Sequence, residues 1–164
     1  MICIFYINLY LDSIMTILNL HSEPLQDSWQ DAYGHLNEAY YLVPFSNTTW
    51  KLQDHFGIGV EYFEKTGCAL FTLRTHLRYL AEVRSPASIE IESIVLGCDA
   101  KRIWFAHLMI VDGSLCATAE FMGLHYSTRE TRARALPKTV QEALRKATVI
   151  KPPSWVGQNV SLKN

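Results

Sequence analysis

Residues 42–59 read LVPFSNTTWKLQDHFGIG. Within that stretch Leu42, Phe45, Thr49, Leu52 and Phe56 recur at spacings of three, four, three and four, which is one buried face of an α-helix. Asn47, Lys51 and Asp54 fall on other faces. Pro44 lacks a backbone donor, so the helix is expected to kink there or to become regular only from there. Gly57 and Gly59 end it.

Working outward, the stretch before the helix holds a strand from Ile17 to Leu25 and a turn over Asp31–Asn37 that opens into the helix. The stretch after it alternates. Phe71, Leu73, Thr75, Leu77 and Tyr79 interleave with Thr72, Arg74, His76 and Arg78, a strand period with a polar side. Ser85-Pro86 breaks the run. A strand from Ile89 to Leu96 follows, then a turn over Gly97-Cys98-Asp99. Arg102 to Val111 is apolar on both faces, as a central strand is, and Asp112-Gly113 is a tight-hairpin signal before Leu115 to Tyr126. Pro137 to Ala147 has helical composition. The order is strand, long helix, four strands in hairpin succession and short helix. It predicts an α+β fold with an antiparallel sheet of about five strands wrapped around one long helix. Such a sheet leaves open edges, so a homodimer or a dimer of dimers is expected.

At 164 residues, 49% of them hydrophobic, the chain has material for one core. Residues 1–14 read as an N-terminal extension, 15–150 as the folded domain and 151–164 as an irregular tail. The apolar start, Met1 to Leu20, lacks a basic leader and a cleavage site. Asp12 interrupts it and it is too short to span a bilayer, so no membrane association is expected. Met15 offers an alternative start. Cys3, Cys68, Cys98 and Cys116 are scattered, which fits reduced thiols in a cytoplasmic protein better than disulfides or zinc ligands. The six histidines lack metal-ligand spacing, so no metal is expected. No phosphate-binding or dinucleotide fingerprint is present and no cofactor is expected. A net charge of −1 argues against a nucleic-acid partner. The charges nonetheless segregate: residues 1–50 hold five acids and no Lys or Arg, while the remainder holds all fifteen Lys and Arg. This is either chance segregation on a solvated surface or the mark of an anionic substrate held by the later strands and loops, with a reacting acid supplied from the front of the chain.

That acid is Asp31, in Asp31-x-x-Gly34-His35-x-Asn37. A carboxylate just ahead of a helix can act as nucleophile or base, and the unpaired amides of the helix's first turn can stabilise a developing oxyanion. Gly34 allows close backbone approach. An Asp in that place also serves as a plain N-cap. The stretch resembles the D-x-x-G-H-x-N signature of the 4-hydroxybenzoyl-CoA thioesterase-like hot-dog proteins. From Trp29 to about Arg129 it looks like the betainyl-CoA thioesterases of carnitine breakdown. The matching residues include Thr75-His76-Leu77-Arg78, Val95-Leu96-Gly97 with Lys101-Arg102, and Ala117-Thr118-Ala119-Glu120 running to Leu124-His125. It departs from them at Trp29, where a first acid often stands, and at Ala32-Tyr33.

The resemblance implies hydrolysis of a small acyl-CoA, betainyl-CoA above others. Asp31 would be the reacting carboxylate and the Glu38 backbone amide the oxyanion donor, with Gly34, His35, Asn37, Tyr41, His76 and Arg78 contacting substrate. Another short or aryl acyl-CoA, or a non-catalytic acyl-CoA-binding module, are the alternatives. Arg74, Arg78, Arg129, Arg132 and Arg134 are candidates for the CoA phosphates. Trp29, Tyr33, Tyr41 and Trp50 are candidate walls for a quaternary ammonium.

Overall fold

The computed structural model describes residues 16–158. The expected extension over 1–14 and the end of the tail, 159–164, lie outside the described residues. The chain runs through β1 (Leu18–Pro24), 3₁₀ turns at Asp27–Trp29 and Glu38–Tyr41, and α1 (Leu42–His55). It continues through α2 (Val60–Thr66), β2 (Cys68–Tyr79), β3 (Ser88–Cys98), β4 (Arg102–Val111), β5 (Ser114–Ser127), β6 (Arg132–Ala133) and α3 (Lys138–Ala147).

The strands form one antiparallel sheet in the order β1-β3-β4-β5-β2, with the short β6 added to β5. The α+β class, the long helix and the central place of β4 stand as the periodicities predict. The expected hairpin succession is corrected at one step: β2 pairs with β5, not β3, and the segment between β2 and β3 leads from the β2 edge past β5 and β4 to the strand beside β1. The β4–β5 hairpin turns where Asp112 and Gly113 both take positive φ, 50° and 72°.

Helix α1 begins at Leu42, so Pro44 sits in its first turn, where backbone N–H groups have no acceptor within the helix and a proline costs little. No kink is needed. Phe45, Thr49 and Leu52 are buried along one face, joined by Thr48 and Gln53, whereas Leu42 is exposed, lying on an open groove between α1 and β2. Phe45 meets Phe121 of β5 edge-on, and Phe105 stacks on Phe121 at 5.1 Å. The other face of the sheet is covered too: Trp155 and Val156 of the tail pack with Ile94, Leu96, Ala106 and Leu108. Among the described residues no helix is long and apolar enough to cross a membrane.

Candidate active site

After β1, the chain closes a tight loop through a bridge between Gln30 and Leu36. Leu36 anchors this loop in the core, its amide donating to Val83 O at 2.8 Å. At the loop's turn Gly34 takes φ +78°, a conformation that strains any side chain. Asp31 Oδ1 accepts from the Tyr33 amide at 2.8 Å and from the His35 amide at 3.4 Å, and Oδ2 lies 3.5 Å from His35 Nδ1. Partial burial opposes the charge on Asp31, but the Tyr33 and His35 amides and the His35 ring outweigh it and hold the carboxyl below its ordinary value.

Asp31 is not the helix cap. Asn37 is: its Oδ1 accepts from Ala39 N at 3.0 Å, and its carbonyl takes the Tyr40 amide. The next amide, that of Glu38, has no acceptor among the described residues. It stands at the start of a helical run from the Glu38–Tyr41 turn through α1, where unpaired N–H groups concentrate positive potential.

These groups line a cleft of ≈430 Å³ together with Tyr41, Tyr79, Leu80, Ala81 and Glu82. The Tyr41 and Tyr79 rings meet edge to face at 5.0 Å, and Tyr79 Oη donates to the Glu38 carbonyl at 3.1 Å. Burial raises both phenols above their ordinary value, so each stays a protonated donor. Glu82 Oε2 lies 3.3 Å from His35 Nε2, and Glu82 is in turn paired with Arg84 at 2.9 Å. The hydrogen bond from Arg84 keeps the Glu82 carboxyl below its ordinary value.

The structure therefore brings together Asp31, His35, Asn37, Glu38 and Tyr41, with Gly34 at the loop's turn. His76 and Arg78 are not in the cleft. Both alternate onto the other face of β2, in register with Glu120 and Thr118, and the Arg78 guanidinium lies 5.8 Å from the Trp155 ring. Glu120 is buried on that face and accepts from Trp104 Nε1 at 2.8 Å and Gly157 N at 3.0 Å. Of the aromatic candidates only Tyr41 lines the cleft; Tyr33 is exposed at the loop tip and Trp29 stacks on Tyr40. Trp50 lies along a separate apolar groove between α1 and β2, shared with Leu42, Phe63 and Phe71. Arg129 donates to the carbonyls of Glu64 and Lys65, while Arg132 and Arg134 pair with Glu130. These arginines sit at the opposite end of β2, about 36 Å of strand from the cleft.

Sequence reasoning missed Tyr79 and Glu82. Tyr79 carried a signal, as the last apolar residue of an alternating strand, but Glu82 sits in a connection with none.

Comparison with known proteins shows the family and the fold. A family model described as the thioesterase-like superfamily matches residues 25–144. The chain is 35% identical over 152 residues to the betainyl-CoA thioesterase of Pseudomonas aeruginosa, covering 89% of this chain and 96% of that one. It is 36% identical over 128 residues to the L-carnitine dehydrogenase/betainyl-CoA thioesterase of Agrobacterium fabrum, covering 77% of this chain. The match spans only 26% of that longer relative. Among solved structures, a Staphylococcus aureus protein in complex with CoA superposes with a TM-score of 0.80 at 20% identity, covering 93% of this chain and 99% of that one. A Pseudomonas putida KT2440 protein proposed to be a thioesterase superposes with a TM-score of 0.74 at 27% identity, covering 92% and 99%.

Proposed function

The chain belongs to the thioesterase-like superfamily, and on that premise we propose that it hydrolyses betainyl-CoA to betaine and CoA in the Asp31 cleft. The observation that carries this reading is the convergence, in one cleft, of an ionised carboxylate and an unpaired helix-start amide. Asp31 either takes a proton from the attacking water or attacks the thioester carbonyl to give an anhydride that water then opens. On both routes the Glu38 N–H receives the negative charge that develops on the oxygen, the C–S bond breaks, and CoA leaves as the thiol with a proton that comes from the water. Asn37 fixes that amide by capping the turn behind it, and His35 steadies Asp31.

The relatives' names support the acyl group, and so does the cleft wall. Betaine carries a quaternary ammonium, which is attracted to the faces of aromatic rings, and Tyr41 and Tyr79 offer such rings beside the reacting groups. Each cation–π contact contributes roughly 0.5–2 kcal/mol. Betainyl-CoA should therefore exceed isobutyryl-CoA in kcat/KM by about tenfold in a coupled thiol-release assay. Equal values would remove betaine while leaving the hydrolase class in place.

The assembly we propose is a dimer built on β2. Among the described residues that strand is a free edge of the sheet, its residues 71–75 are exposed on both faces, and the apolar groove against α1 runs beside it. Antiparallel pairing of two such edges about a two-fold axis would place one subunit's Cys68 end beside the other's Tyr79 end. The partner's Arg129, Arg132 and Arg134 would then stand near this cleft, as three cations suited to the phosphates of CoA. The three described cysteines are free thiols, which fits a cytoplasmic location.

A further inference from the structure

His35 is held between two carboxylates, Asp31 at Nδ1 and Glu82 at Nε2. The contacts close a ring. Tyr33 N–H donates to Asp31 Oδ1, Arg84 Nη1 donates to Tyr33 O at 3.3 Å, Arg84 Nε donates to Glu82 Oε1, and Glu82 Oε2 faces His35. The loop that carries Asp31 is thus tied to the segment after β2 at three points, Leu36 N–H to Val83 O, Arg84 to Tyr33 O and the His35 imidazole to Glu82. A neutral imidazole has a single N–H and satisfies only one carboxylate, whereas an imidazolium satisfies both.

We propose that Glu82 is a positioning residue: acting through His35, it fixes the orientation of the Asp31 carboxylate in the cleft. This rests on the hydrolase reading of the cleft for its catalytic consequence, though not for the contact itself. The titratable groups facing Asp31 are His35 from its own loop, Glu38 from the 3₁₀ turn, Tyr41 beside α1, Tyr79 at the end of β2 and Glu82 beyond it. Arg84 stands behind Glu82.

The sign of one effect separates this role from a simple field effect. Removing a nearby negative charge by Glu82→Gln directly favours the ionised form of Asp31 and moves its titration to lower pH. If Glu82 acts through His35, the same substitution loosens the imidazole, weakens its support of Asp31 and moves the titration to higher pH. Glu82 is largely solvent-facing, so the variant is expected to fold.

The experiment follows the Asp31 carboxyl carbon by NMR in the full chain, wild type and Glu82→Gln, beside the pH dependence of kcat/KM for betainyl-CoA. The expected result is an Asp31 titration shifted to higher pH, an acid limb of kcat/KM that moves with it, and a kcat about tenfold lower with KM steady. A titration that is unmoved or shifted to lower pH overturns the proposal, as does a raised titration with unchanged kcat. Should Asp31 titrate higher while the wild type hydrolyses no acyl-CoA, the positioning role stands and the hydrolase reading falls.

Discussion

Asp31 carries two duties on one carboxylate, shaping its own loop and facing the cleft, and a single substitution divides them. In Asp31→Asn the side-chain oxygen still accepts from the Tyr33 and His35 amides, so the loop keeps its form and the thermal midpoint should stay close to wild type. The negative charge is gone, and loss of general-base help alone lowers kcat by on the order of 10²–10⁴-fold. A variant that keeps a third of wild-type kcat would mean that Asp31 only shapes the loop. The wild type also has a defined pH signature. Because the carboxyl is held below its ordinary value, the acid limb of kcat/KM should lie at lower pH than that of an unperturbed aspartate. That Asp31, Asn37 and Glu38 lie together was legible in the sequence because they are local, belonging to one turn whose spacing is set by the chain itself. Tyr79 and Glu82 enter the cleft from β2 and its exit some forty to fifty residues later, and His76 and Arg78 leave it because the pleat turns them to the other face.

The elements that hold this site are locked together at His107, on β4 beneath α1. Its ring nitrogens meet Ser93 Oγ of β3 at 2.8 Å and Thr49 Oγ1 of α1 at 3.1 Å, and Phe45 stacks on it. Thr49 already donates its hydroxyl proton to Phe45 O, so Nε2–H donates to Thr49 and Nδ1 accepts from Ser93. One neutral tautomer thus satisfies all three elements, and full burial depresses the imidazole from 6.5 to about 3. Above pH 6.5 neither the folded nor the unfolded chain protonates this group, and its pH-dependent contribution is flat. Between 6.5 and about 3 only the unfolded chain binds the proton, so stability should fall by about 1.4 kcal/mol per pH unit from this residue. Urea unfolding from pH 7 to pH 4 checks it: His107→Gln, which cannot titrate, should have a shallower slope than wild type, and parallel slopes would refute the assignment. Periodicity foretold α1 and the four long strands because burial on one face imposes it. It could not tell β2's neighbour, because a strand's alternation fixes which face is buried and not which strand lies alongside. The seven-residue α2 is too short to develop a helical stripe.

At the scale of the whole molecule the described surface is incomplete along one side. Phe71 and Leu73 on the outer edge of β2 and Trp50 and Phe63 beside it are 40–52% exposed, along an edge with no further strand beside it among the described residues. An exposed apolar edge of this kind associates unless something blocks it, and no covering element lies over it among the described residues. The same edge separates the cleft from the arginines at the far end of β2, a distance that no single subunit closes. Both features are met by the two-fold pairing proposed above. Light scattering at micromolar concentration should therefore give a dimer or a dimer of dimers for the wild type. Leu73→Glu places a charge in the middle of the pairing edge, faces its own copy across the two-fold, and should yield a monomer. Leu73 is 52% exposed and contributes little to the core, so the monomer should keep its fold by circular dichroism. Its Asp31 cleft is intact, yet the partner's arginines are withdrawn, so KM for the acyl-CoA should rise by about tenfold or more as charge-assisted phosphate contacts are lost. A folded Leu73→Glu monomer with wild-type KM would show that each cleft binds CoA unaided, and a wild type that stays monomeric would remove the dimer itself.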